Sequence, residues 1–266
     1  MKARTIFIGL FFQLAYLFSG QYCCGQEEAV KIHDLPFAGR EIRNSFNVVG
    51  STFISLPVRG GIYEAVYKTW LIPPSARLGI LGFDLCTADT SLVIAIRKGD
   101  SLVLAKGKNY RQNYITRTYC TLSLGVCQVT SAGLDSFFVW HYNRDFSSIY
   151  FYGRDSLKTL MQVKDTITAF HAISPSSFLF ALGPRLFSLS ADGRPLLLAE
   201  FRDRIDGLAQ DGEGNPVIST EKGIYRVTGK NQAEMLLSSV HGFIRCEGGK
   251  LFLLDRERGR IVEVGL

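Results

Sequence analysis

The chain has 266 residues, of which 47% are hydrophobic and 20% charged, which excludes intrinsic disorder because there is ample apolar surface to offset the entropy of ordering. Gly 26 and Pro 8 are ordinary counts and exclude a collagen-like or low-complexity chain. The formal net charge of +6 falls to about +4 once residues 1–25 are set aside, and the cationic residues are scattered singly, so no nucleic-acid surface is indicated.

Lys2 and Arg4 precede an apolar run from Ile6 to Phe18, broken only by Gln13. That run is too short for a ~30 Å hydrocarbon core, which takes roughly 20 residues. Small and polar residues follow, then Glu27 and Glu28. This layout predicts a cleaved secretory signal peptide over residues 1–25, with Gly25 and Cys23 at the small positions before the cut. The expected localisation is therefore exported: periplasmic, outer-surface or secreted. Cys23 and Cys24 raise a lipid anchor, but a lipobox needs a small residue before the modified cysteine, and Tyr22 and Cys23 stand there. The remainder, 26–266, reads as a single domain with no transmembrane span after cleavage and as a monomer.

Cys86, Cys120, Cys127 and Cys246 remain after cleavage. None forms a C-x-x-C pair, so neither a zinc site nor a thioredoxin-type motif is indicated. Disulfides and buried free thiols both stay open, and no pairing follows from the spacing.

The rest of the chain alternates short runs rich in β-branched and aromatic residues with Gly, Asp, Asn and Ser, and no helical periodicity lasts three turns. The class is all-β. Paired runs begin at Ser51, Ser91, Ser136, Ser177, Asn215 and Lys250, a spacing near 40 residues. A period of that size with several strands per unit is the mark of a propeller blade. Six such units fit residues 28–266. The last repeat ends after its third strand, and Ala29 to Phe37 has no partner of its own. The reading is a six-bladed β-propeller whose last blade is closed by an N-terminal strand, which removes two exposed edges. A two-sheet sandwich and rings of five or seven blades are the competing arrangements.

The clearest unit is IDGLAQDGEGNPVISTEKGIYRV, residues 205–227. Its strands are expected at Gly207 to Gln210, Val217 to Thr220, Ile224 to Val227 and Met235 to Ser238. The Asp211 to Asn215 turn supplies the side-chain oxygens and glycines that turns need. This stretch resembles blades of the six-bladed NHL and SMP-30/gluconolactonase-like propellers, closely over these residues, fairly over 165–266, and only by period before that.

Inner strands line a propeller's channel. The register places Asn47, Asp84, Gln128, His171, Asp206, His241 and Arg245 there as channel-mouth candidates. The resemblance implies a divalent metal held by Glu, Asn and Asp from different blades, and calcium is a cation such oxygens take. Here only Asp84 and Asp206 supply acid, histidines stand at two matching positions, and no inner Glu appears in the first blade. Asp206, before a glycine, also suits a loop-shaping role. The remaining histidines, His33 and His141, lie in no H-E-x-x-H or H-x-H context, and there is no P-loop, dinucleotide fingerprint or G-x-S-x-G. Tyr110, Tyr114, Tyr119, Arg111 and Arg117 read as strand residues before they read as an interface.

Two functions follow. The first is an exported non-catalytic propeller that binds a protein, peptide or glycan. The alternative is a divalent-metal-dependent, lactonase-like hydrolase. Convergence of three or more of the candidate oxygens and nitrogens on one point is what separates them.

Overall fold

The computed structural model describes residues 30–42, 46–48, 52–56, 60–75, 79–86, 91–107, 117–189 and 193–266. The expected signal peptide with Cys23 and Cys24, and the segment holding Tyr110, Arg111 and Tyr114, lie outside these. Among the described residues the only helical element is a 3₁₀ turn at Gly39–Glu41, and everything else regular is strand. No described helix is long and apolar enough to cross a membrane.

The chain opens with β1 (Lys31–Asp34) and then runs through consecutive antiparallel meanders. The first is β2 (Phe46–Val48), β3 (Thr52–Leu56), β4 (Gly61–Glu64) and β5 (Thr69–Ile72). The second is β6 (Gly79–Leu85), β7 (Leu92–Lys98), β8 (Ser101–Gly107) and β9 (Arg117–Ser123). The third is β10 (Val126–Gly133), β11 (Ser136–Tyr142), β12 (Ser147–Gly153) and β13 (Ser156–Val163). The fourth is β14 (Ile167–Ser174), β15 (Ser177–Leu182), β16 (Arg185–Leu189) and β17 (Pro195–Glu200). The fifth is β18 (Ile205–Gln210), β19 (Pro216–Thr220), β20 (Gly223–Gly229) and β21 (Gln232–Ser238). The uninterrupted blades are these five, and not six. The last strands, β22 (Phe243–Glu247), β23 (Lys250–Asp255) and β24 (Arg260–Gly265), make a composite sheet with β1, in the order β1-β24-β23-β22. Lys31 lies opposite Glu263 and Asp34 opposite Arg260.

The first strands of successive sheets, β6, β10, β14, β18 and β22, lie side by side. Sheets arranged face to face about their inner strands make a β-propeller, the architecture of this chain. A blade packed on both faces has no solvent side, so its second strand should be apolar along its length rather than alternating. β11 and β15 show this. Phe137, Phe138 and Val139 on β11 are fully buried, as are Phe178 to Ala181 on β15. Alternate residues then serve opposite neighbours. Phe137 and Val139 pack with Val93, Leu102 and Leu104 of the second sheet. Phe138 and Trp140 pack with Phe170, Phe178 and Phe180 of the fourth. At the composite sheet, Leu254 and Ile261 pack with Phe37, Ile42 and Tyr63. Three rings, Phe37, Tyr63 and Trp70, meet there at centroid distances of 5.1 to 5.7 Å.

The fifth meander carries the motif read from the sequence, and its strands run one to three residues longer than expected at some ends. Its turn is held by Asp211, whose Oδ1 accepts the backbone N–H groups of Glu213 at 3.0 Å and Asn215 at 2.8 Å. Asp211 Oδ2 also lies 2.8 Å from Arg226 Nε, an ion pair closed over a nearly buried carboxylate. Tyr119, on β9, packs against Phe137 and Tyr152, the strand role expected of it. The four cysteines are free thiols.

Candidate functional site

Successive antiparallel strands place their connections alternately at two ends of each blade. The upper face carries the links from a fourth strand to the next first strand and from second to third strands. The lower face carries the links from first to second and from third to fourth.

Asp84 sits near the lower end of β6 and is 4% exposed. Its Oδ2 accepts the backbone N–H of Ser131 on β10 at 2.6 Å, tying two blades together. Burial pushes the Asp84 carboxyl up to about 6, against the opposing pull of Arg245 and of the N–H groups of Ser131 and Leu85. His171, midway along β14, has its Nδ1 sealed from solvent with no partner among the described residues. Burial drives its pKa down to about 3, helped by the charge of Arg245, so the ring is neutral at pH 7. Arg245 lies midway along β22, and its charge acts on both Asp84 and His171. Three inner strands from three sheets thus place an acid and a neutral imidazole each within electrostatic reach of one guanidinium.

Gln128 and Asp206 sit higher, near the upper ends of β10 and β18. Together with Thr168, Phe243 and Arg245 they border a space of about 30 Å³ at the channel's upper entrance, room for about one water. Asp206 is half-buried and paired with Arg204 at 2.9 Å, which makes it a strand-start brace. Asn47 lies on β2 opposite Phe53, and its side chain is outside the described set. His241 corrects the sequence reading. It is exposed and precedes β22 rather than standing on it. Gly242 makes the bend just before the strand at φ 153°, with its N–H bonded to Ser219 Oγ at 3.0 Å and no room for a Cβ beside the Leu254 carbonyl.

The metal set implied by the resemblance does not fit the described residues. Among them no three His, Cys, Asp or Glu side chains gather where a metal ion could be held. Asp84 is committed to backbone N–H groups and Asp206 to Arg204, while the Arg245 charge acts on Asp84 and His171.

The sequence reading missed the pocket beside the channel. It encloses about 350 Å³ on the upper face between the second and third sheets, within the range of small-molecule sites. Leu81, Val126, Cys127 and Tyr142 give it apolar walls, and Arg97 and Arg144 stand at its rim. Gln128 and Trp140 border both this pocket and the channel entrance. Trp140 is 8% exposed, and its indole N–H has no partner among the described residues. Burial pushes the Cys127 thiol up to about 12, so it is an inert wall. His141 holds the chain just before Leu124 and Gly125 of the lining. Its Nε2 lies 2.9 Å from the Ser123 carbonyl, which can only accept, so that nitrogen carries the proton. Burial lowers the His141 pKa and keeps this neutral form. Gly125 is required beside it, because a Cβ would strike the Tyr142 carbonyl and meet His141 Nε2 at 2.6 Å. One signal was available in the sequence: Arg97 and Arg144 stand 47 residues apart, about one repeat, each at or just after the end of a second strand.

The lower face holds a larger groove of about 930 Å³ between the third and fourth sheets, bordered by the turns at 134–136, 153–156 and 175–176. Both of its carboxylates are paired, while Arg154 and Lys158 border it with no ion pair among the described residues. Asp135 meets Lys106 at 2.9 Å and the Tyr119 hydroxyl at 2.8 Å, and Asp155 meets Arg117.

No family model matches the chain, and no curated protein does. Solved structures do match. Regucalcin from Agrobacterium tumefaciens, a calcium-binding protein, aligns at 12% identity over 88% of this chain and 93% of its own, with a TM-score of 0.64. A gluconolactonase from Xanthomonas campestris aligns at 12% identity over 89% of this chain and 90% of its own, with a TM-score of 0.63. Virginiamycin B lyase from Staphylococcus aureus aligns at 9% identity over 90% of this chain and 100% of its own, with a TM-score of 0.61. At these identities the likeness is one of fold.

Proposed function

We propose that the protein is a lactonase-like propeller enzyme that opens a small ester-type substrate at the upper mouth of its channel, without the metal the resemblance implies. The observation that carries this is the grouping of Arg245, His171 and Asp84 on three inner strands. The likeness to gluconolactonase and lyase propellers supports it as an analogy of fold. In this reading Arg245 is the donor for a carbonyl oxygen that gains negative charge as the ester opens. A water attacks the carbonyl carbon, neutral His171 takes its proton at Nε2, the ring nitrogen that is not sealed, and returns it to the alkoxide that leaves as the acyl–oxygen bond breaks. Asp84 is a positioning residue that balances the Arg245 charge from below. The proposal counts the composite sheet of β1 and β22–β24 as a sixth blade that closes the ring, and takes residues 1–25 as an export signal.

The test is hydrolysis of a panel of lactones by the purified protein, with and without EDTA. Turnover that survives EDTA and falls at least a hundredfold in Arg245→Ala supports the reading. Turnover abolished by EDTA and restored by calcium would overturn the metal-free chemistry. No turnover of any lactone would leave the second reading, an exported module for a protein, peptide or glycan, which the broad lower groove favours.

A further inference from the structure

We propose that the upper-face pocket is an anion-reading subsite and that its ligand is a small carboxylate with a flat apolar body. The inference rests on the upper face being the working face, and it deepens that reading by naming the ligand's charge and shape. Three observations carry it.

The first is charge. Arg97 and Arg144 border the pocket, and no Asp or Glu does. Among the described residues neither guanidinium is paired with a carboxylate, and Arg97 Nε donates to the Gly99 carbonyl at 3.3 Å. Two guanidiniums beside an apolar cavity give a positive field and planar donor forks suited to a carboxylate. The second is the buried indole N–H of Trp140. A buried donor without an acceptor is costly, and a ligand oxygen at this border of pocket and channel would relieve it. The third is shape. The walls are Leu81, Leu124, Val126, Cys127, Trp140 and Tyr142, which favour a ring over a hydroxyl-rich chain.

The rim is also held in place before any ligand arrives. Arg144 sits at φ 80° in a turn braced on both sides, with Asn143 Oδ1 accepting the Phe146 N–H at 3.2 Å and the Tyr142 hydroxyl donating to the Arg144 carbonyl at 3.2 Å. A braced backbone presents its side chain at a lower ordering cost on binding. Gln128, common to the pocket and the channel entrance, then sets how far the ligand's remaining atoms lie from Arg245.

Calorimetry with phenylacetate, its neutral isostere phenylacetamide, and inorganic phosphate tests the proposal on the full chain. Phenylacetate is expected to bind saturably and at least tenfold more tightly than phenylacetamide. The double variant Arg97→Ala, Arg144→Ala should weaken phenylacetate at least tenfold, and Arg117→Ala with Arg154→Ala on the lower face should not. In Trp70→Phe protein the remaining tryptophan is Trp140, and its emission should shift with phenylacetate at the same midpoint. Equal affinity for acid and amide, binding indifferent to Arg97 and Arg144, binding of phosphate alone, or no binding by any probe would each overturn it. Its failure is separable from that of the enzyme reading: lactone turnover with no Arg97 or Arg144 dependence sinks only the subsite, and phenylacetate binding without turnover sinks only the chemistry.

Discussion

The two faces of this propeller carry similar residues in opposite arrangements. On the lower face the groove is nearly three times the size of the upper pocket, yet Lys106 answers Asp135 and Arg117 answers Asp155. On the upper face the cavity is smaller, and its arginines have no acidic partner among the described residues. The lower groove therefore offers a small anion a mixed-charge border, two paired carboxylates beside Arg154 and Lys158, rather than a rim without acid, and exposed pairs of this kind contribute little to stability. Volume alone favours the lower face, whereas the proposed reading favours the upper one for its arginines at a rim without acid.

That contrast can be broken at four points, from the largest effect to the smallest. Arg245→Ala should reduce lactone turnover by at least a hundredfold, measured as kcat/KM, while leaving the lower face untouched. The loss is of the size seen when one donor to a developing oxyanion is removed.

The channel pair should show itself in stability against pH. Asp84 is raised to about 6 in the folded protein, so its contribution is fully present below about pH 4 and is lost as pH climbs to 6. His171 is lowered to about 3, so its contribution is present above about pH 6.5 and is lost as pH falls. Between pH 4 and 6 the two slopes oppose each other at about 1.4 kcal/mol per pH unit each. Urea midpoints of the wild type should therefore change little across that window from this pair. Asp84→Asn should uncover stability that falls with acid, and His171→Gln stability that rises with it. Parallel curves for all three proteins would contradict the assignment.

His141→Leu should cost about 1–3 kcal/mol, because it leaves the Ser123 carbonyl without its donor. It should also loosen the pocket lining, read as weaker phenylacetate binding. Asp135→Ala is the smallest change, no more than about 1 kcal/mol in denaturant melts and with no effect on ligand binding.

The composition, the strand-length runs and their 40-residue period made the propeller legible from sequence. The unit at 205–227 was readable strand by strand because Asp211, Gly214 and Asn215 write its turn in local hydrogen bonds. The inner positions of Asp84, Gln128, His171 and Arg245 were legible from register. His241 was misplaced because register counts residues and cannot see that β22 starts only at Phe243, after the bend at Gly242. The upper pocket was illegible for a different reason. Its walls come from two sheets, and Trp140 reads as one more core aromatic until its N–H is found without an acceptor.

The pairing of Lys31–Asp34 with Arg260–Glu263 has a consequence in time. Strand partners about 230 residues apart cannot meet until translation has covered the distance between them. At about 5–20 residues per second that is an interval of about 10–50 s. Through it β1 must stay unpaired while five meanders assemble behind it. Its own letters suit the wait, since Lys31, His33 and Asp34 give a short polar strand that is a poor template for aggregation. The pairing is then reinforced by charge. Glu263 takes Lys250 at 2.7 Å and lies within 3.9 Å of Lys31, so one carboxylate joins β23, β24 and β1 of the composite sheet.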